Sequence, residues 1–275
     1  MKALSNTPPP REPRELWKHF SDTYFSLRTG LAVLAFAMPF VLYLYGSFRH
    51  GLDLQPSMSR YFWAAAADQC AAFPMRTIFV GFLFAIGVGL YLYKGLTDLE
   101  NFLLNLAAIC AAVVAIYPER LTVAEAATDQ RLAQLFESCP AVKAWAATPA
   151  LPIHYTAAVV MFVLLAVVAW FCASKSLEYL PVGHDPAKFS RTYKGIAIAM
   201  LVFPAAGFAA AYLFGFASSK IFFIEAAGIS TFGVFWAVKS RELALSRLEA
   251  DPAEAVRHVA SRVAIDGQAA SRPSE

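Results

Sequence analysis

Seven residues that can do chemistry stand out in a largely apolar chain. Ser57, Ser59, Arg60 and Tyr61 share the stretch LDLQPSMSRYFW, and Arg76, His154 and Glu225 follow. A carboxylate and an imidazole are ordinary groups for moving protons, and a hydroxyl near them can serve as nucleophile or relay. A guanidinium among hydroxyls is equally suited to gripping a phosphate or a carboxylate. Neither serine lies in a G-x-S-x-G elbow. No P-loop, Rossmann glycine pattern or haem-attachment motif stands in a fitting context. The histidines are His19, His50, His154, His184 and His258, with no H-x-x-x-H pair among them. A zinc site would have to recruit Glu225 and Asp53, so neither metal nor cofactor is expected.

Glu225 raises the question of position, because it lies in KIFFIEAAGISTFGVFWAVK, a segment apolar enough to cross a membrane. The whole chain has this character: 58% of its 275 residues are hydrophobic and 16% charged, against about 25% charged in soluble domains. The apolar residues form six blocks near the ~20 residues needed to span hydrocarbon. These predict an all-α, six-helix membrane bundle with spans at Leu27–Gly46, Thr77–Tyr93, Phe102–Tyr117, Ile153–Ala173, Tyr193–Gly215 and Ile221–Lys239. The domain reading is a flexible cytoplasmic tail at 1–26, a membrane domain at 27–240 and a cytoplasmic tail at 241–275. The polar leader before the first block is far longer than a signal peptide's n-region, so that block reads as an uncleaved first helix.

Sixteen of the 23 lysines and arginines fall on segments that share the side of both termini. The positive-inside rule therefore places both termini in the cytoplasm. The net charge of +3 describes topology, and no nucleic-acid partner is expected. On this topology the loops at 47–76 and 118–152 face outward. The second contains TVAEAATDQRLAQLFESC, whose Val123, Ala127, Leu132, Leu135 and Phe136 predict an amphipathic helix over the bundle. Cys70 and Cys139 lie one in each loop, on the same side, and either pair in an oxidising compartment or remain two thiols. Gly81, Ala85 and Gly89, and again Gly207, Ala211 and Gly215, make small-residue stripes suited to close helix contact, within the monomer or in a homo-oligomer.

The order of several motifs resembles a widespread, largely uncharacterised family of bacterial six-helix integral membrane proteins. These are PSMSRYF, MRTIFVGFLFAIGVGLYLYKG, NFLLNLAAICAAVVAIYP, IHYTAAVVMF and IEAAGISTFGVFWAVK. The matching positions are Ser57 and Ser59, Tyr93-Lys94-Gly95, Pro118, Glu225, Phe232-Gly233, and Trp236 with Lys239. The layout is also similar to the DRAM/Frag/Sfk membrane family, which implies lipid handling and membrane organisation. Where that pattern would place a histidine soon after Tyr61, this chain has Trp63 and alanines.

Three functions follow as expectations. The first is a non-enzymatic protein of the cell membrane, on this layout a bacterial inner membrane. It binds a lipid headgroup or a membrane-protein partner through Ser57, Ser59, Arg60, Tyr61, Arg76, His154 and Glu225. The second is a lipid-modifying hydrolase with His154 and Glu225 as acid–base groups, and the third a small permease. Glu225 is expected to turn into the bundle and tie down the first outer loop. Its candidate partners are Arg60, Arg76, His154 and the serine hydroxyls.

Overall fold

The computed structural model describes residues 13–67, 70–127, 129–148, 151–215, 217–246, 251, 253–254 and 256–261. Among these, six long helices carry the architecture. They are α1 (Pro13–His50), α2 (Pro74–Leu92), α3 (Asp98–Ile116), α6 (Ile153–Val167), α7 (Pro186–Leu213) and α8 (Lys220–Ser246). Two short helices, α4 (Gln130–Ser138) and α5 (Pro140–Ala147), lie between α3 and α6. Each long helix packs on the next in chain order, and α8 returns to α1 to close a ring. The short connection 93–97 turns α2 back into α3, and the loops after α1 and after α3 meet at one end through their disulfide, so the ring has two ends, each built from alternate helix starts and stops.

The ring is apolar on both sides, as a bundle in lipid must be. Leu31, Ala35, Met38 and Leu42 of α1 face inward, buried at helical spacing, and Phe79, Leu83, Ile86 and Leu90 do so on α2. Val33, Phe40, Leu92, Ile109 and Val159 are equally apolar and point outward. Among the described residues, five helices are long and apolar enough to cross a membrane: Trp17–His50, Pro74–Leu92, Asp98–Ile116, Ile153–Tyr179 and Lys220–Ser246. That is the mark of a multi-pass helical membrane protein.

Closure depends on small residues where backbones meet. A Cβ on Gly233 of α8 would lie 2.9 Å from Phe36 of α1, and one on Gly89 of α2 would lie 2.7 Å from Leu31. Gly81, at the other end of the same stripe, meets open space. The surroundings of Gly207 and Ala211 lie outside the described residues.

Two boundaries differ from the sequence reading. Residues 13–26, expected as flexible tail, form the first turns of α1, with Glu15 complementing the helix N-terminus. At the other end α8 continues past 240 to Ser246, because Glu242, Leu243 and Ser246 are buried against the bundle. Residues 1–12 and 262–275 lie outside the described residues.

A cap covers one end of the ring. Residues 51–73 lead from α1 to α2 and include a 3₁₀ turn, Ser59–Trp63. Above them lie α4 and α5, whose Leu132, Phe136, Val142 and Ala146 form a second small core with Leu121 and Cys139. Trp63, Cys70 and Phe73 of the first loop pack against this core. The amphipathic helix is therefore shorter than expected. Asp129 caps α4 by accepting from the amides of Arg131 and Leu132, and Val123 and Ala127 before it are exposed. Cys70 and Cys139 are joined as a disulfide, their Cα atoms 5.8 Å apart, which staples the two loops together.

Candidate functional site

Beneath the cap, the ring end formed by the starts of α6 and α8 and the end of α3 gathers the polar residues. Glu225, one turn into α8, reaches up to the 3₁₀ turn. Its Oε2 accepts from the amides of Met58 at 2.5 Å and Ser59 at 3.4 Å, and its Oε1 lies 2.8 Å from Ser59 Oγ. The loop can offer these amides because its backbone is not committed to helix. One residue pair further, the Phe222 amide donates to the Pro56 carbonyl at 2.9 Å, so the loop also caps the first turn of α8.

Ser59 is 3% exposed and stands between two proton carriers. On its other side is His154, 4% exposed, with Nε2 2.9 Å from the hydroxyl and Nδ1 2.7 Å from the Tyr117 carbonyl. A carbonyl only accepts, so Nδ1 carries a proton. The hydroxyl has one proton, yet hydrogen bonds join it both to Glu225 and to His154. One further proton is needed, held either as a carboxylic acid at Glu225 or as an imidazolium at His154. Either way the row Glu225–Ser59–His154 is neutral as a unit and shares that proton. It has the parts of a relay or an acid–base pair.

A second carboxylate, Glu119, stands beside this row at the end of α3 and is 4% exposed. It accepts from the hydroxyl of Ser57, from Tyr155 at 2.9 Å and from Arg60 Nη2 at 3.5 Å. Ser57 Oγ in turn accepts from the Arg60 amide at 2.8 Å. The Glu119 carbonyl accepts from the Trp63 indole at 3.0 Å, which anchors that ring. Arg60 also reaches Glu125 at 3.5 Å, while its Nε and Nη1 are buried without an acceptor. Arg60 lines a cleft of about 330 Å³ between the two cap loops, with Gln55, Trp63, Arg131 and Gln134 among its neighbours.

The structure thus brings together Ser57, Ser59, Arg60, His154 and Glu225, but not all seven expected residues. Arg76 does not approach Glu225. Its guanidinium lies 4.2 Å from the Phe62 ring centroid and 4.1 Å from that of Phe73, and its Nε donates to the Phe62 carbonyl. The aromatic faces of the cap outcompete a distant carboxylate. Tyr61 is fully buried against Phe222, and burial pushes its phenol up to about 12, so it packs as a neutral ring. Arg60 pairs with Glu119 rather than Glu225. Asp53 pairs with Arg131 at the cap surface, away from the row. Among the described residues no three His, Cys, Asp or Glu side chains gather as metal ligands.

The opposite end holds a polar network that the sequence reading passed over. Lys239 and Glu242 of α8 are 2% and 0% exposed. The Lys239 ammonium donates to Glu242 Oε2 at 2.9 Å, to Ser176 Oγ at 2.5 Å and to the Ala173 carbonyl at 3.0 Å. Tyr193 of α7 donates to the same carboxylate oxygen at 3.0 Å, as does Ser176 at 2.9 Å, while Glu242 Oε1 has no partner. Glu100 of α3 and Arg28 of α1 are buried at the same end, and Glu100 is close enough to feel the charges of Lys239 and Glu242. Gly95 leaves no room for a side chain. A Cβ there would lie 2.4 Å from the Glu100 side chain, whose Oε2 accepts the next amide, Leu96, at 3.1 Å. The signal available in the sequence was Lys239-x-x-Glu242, one helical turn apart.

Comparisons with protein families, with curated proteins and with solved structures each find no match to this chain.

Proposed function

We propose that this chain is a non-enzymatic, six-span integral membrane protein with both termini cytoplasmic, binding the phosphate of a lipid headgroup through its capped outer end. One observation carries the reading: Arg60 lines the cap cleft, and two of its guanidinium donors are buried with no acceptor among the described residues. Buried donors without partners cost about 1–3 kcal/mol each, and a phosphate presents several acceptors to a guanidinium. The clamp from Glu225 to Met58 and Ser59 supports the same role, since it fixes the loop that aims Arg60. The test is hydrogen exchange on the protein in nanodiscs, with soluble dihexanoyl phosphatidylglycerol as probe. Protection is expected over residues 51–66 and 129–138 in wild type and is expected to vanish in Arg60→Gln. Unchanged exchange in wild type would sink the reading.

The hydrolase reading has one observation in its favour, the 2.9 Å contact of Ser59 with His154, whose far nitrogen is oriented by a carbonyl. Against it, Ser59 is also held by Glu225 and is not among the residues lining the cap clefts. A fluorophosphonate probe separates the two readings. Labelling that is lost in Ser59→Ala would establish a nucleophile; no labelling is expected.

A further inference from the structure

Helix α6 does not end regularly. After Val167 the backbone widens into a π turn at Val168–Cys172, then tightens into 3₁₀ turns over Ala173–Tyr179. Single π turns of this kind occur mostly where function uses them. Here the turn keeps Val168, Ala169 and Cys172 in the core and leaves Trp170 and Phe171 facing outward, 37% and 61% exposed. Against them stands α7. Between the two lies an outward-opening groove of about 260 Å³, walled by Val163, Val167 and Phe171 on one side and Ile198 and Leu201 on the other. Its end is closed by Trp170, and Lys194 lies over that ring, Nζ 5.7 Å from the centroid. Arg191, Lys194, Ile198 and Leu201 are three, four and three residues apart, so the two cations continue the stripe that forms the groove wall.

We propose that this groove binds one anionic phospholipid, with an acyl chain along Val163–Leu201 and the phosphate on Lys194. The occupant follows from chemistry. The groove wall is apolar and opens from a membrane bundle, where the surrounding matter is acyl chain. Trp170 is of the type that sits at headgroup depth, and a lysine whose stem lies along apolar surface raises its ammonium to that level. Arg191 adds a second positive charge, shared with Asp185 at 3.7 Å. A zwitterionic headgroup brings its own cation and gains less from Lys194 than an anionic one does. The groove lies toward the Glu242 end, on other helix faces than the cap cleft, and stands or falls independently of Arg60.

Trp170 supplies the readout. The protein is placed in phosphatidylcholine nanodiscs doped with phosphatidylglycerol dibrominated in its acyl chains, and the Trp170 signal is taken as wild type minus Trp170→Phe. Brominated phosphatidylglycerol is expected to quench Trp170 at mole fractions where brominated phosphatidylcholine does not. Lys194→Gln, at an exposed position, is expected to weaken that preference about fivefold. Ile198→Trp fills the groove from an exposed position and is expected to abolish it, while Arg60→Gln leaves it unchanged. Equal quenching by the two lipids, or a preference that survives Lys194→Gln, means ordinary annular lipid and overturns the proposal. Should Ile198→Trp fail to fold, the Lys194 variant decides.

Discussion

Glu225 and Glu242 sit on the same helix, 17 residues and so roughly 25 Å apart along its axis, and each is the hub of a polar network. Their partners differ in kind. Glu225 is met by two backbone amides and a hydroxyl from a loop. Glu242 is met by a lysine, a tyrosine and a serine, all side chains, from its own helix, α7 and the turns after α6. A loop has amides to spare, whereas a helix spends its own on itself. A carboxylate that must hold helix to helix therefore needs long donors and a counter-charge. One that must hold a loop to a helix can use the loop's backbone.

That contrast can be broken in order of effect. Removing Glu242 as alanine should cost the most, about 3–5 kcal/mol, because it strands Lys239 in the bundle. Thermal unfolding of the purified protein checks this, and Lys239→Met combined with Glu242→Leu should recover most of the loss. If Glu242→Ala melts like wild type, the inner network is not a brace. Glu225→Ala should cost less, about 2–3 kcal/mol, since what it strands is two amides rather than a charge. Hydrogen exchange should place that loss at Met58 and Ser59 and leave the Glu242 end protected.

Reducing the disulfide should sharpen the contrast further. A bridge across 69 residues would be worth more in a free chain, but helices α2 and α3 already hold the ends near each other. About 2 kcal/mol is expected, felt as earlier loss of the cap with the inner network unmoved. Protease susceptibility of the 118–152 loop with and without reductant measures it. The smallest effect belongs to Tyr155→Phe, which removes a single hydroxyl from Glu119 and should cost about 1 kcal/mol.

How much of this could be read in advance depended on where each charge stood against the apolar background. Glu225 was conspicuous because a carboxylate inside an apolar segment must find donors, and the serines of the first loop were among those proposed. Arg76 was misread because its partners are ring faces, which carry no charge pattern in a sequence. Glu119 carries no motif in the sequence, and its role as hub depends on Tyr155 and Trp63, which look like ordinary interfacial aromatics. The inner network was hidden for the opposite reason to Glu225. Arg28, Glu100, Lys239 and Glu242 lie at or just beyond the ends of the apolar segments, where charge is expected and is counted toward orientation. Lys239 contributed to that count although it is 2% exposed and internally paired. The helices themselves were legible, and their closure into a ring was not, because the residues that permit it are small and common.

The bond from Phe222 to Pro56 and the clamp from Glu225 to Ser59 have a consequence in time. The two partners of that clamp are 166 residues apart, and chains are made at about 5–20 residues per second. The loop between α1 and α2 therefore waits roughly ten to thirty seconds for the helix that will hold it. Through that interval its amides are met only by water, until α8 emerges and locks the loop. A nascent chain arrested before α8 would present an open, protease-sensitive loop, a visible sign that its clamp was never made.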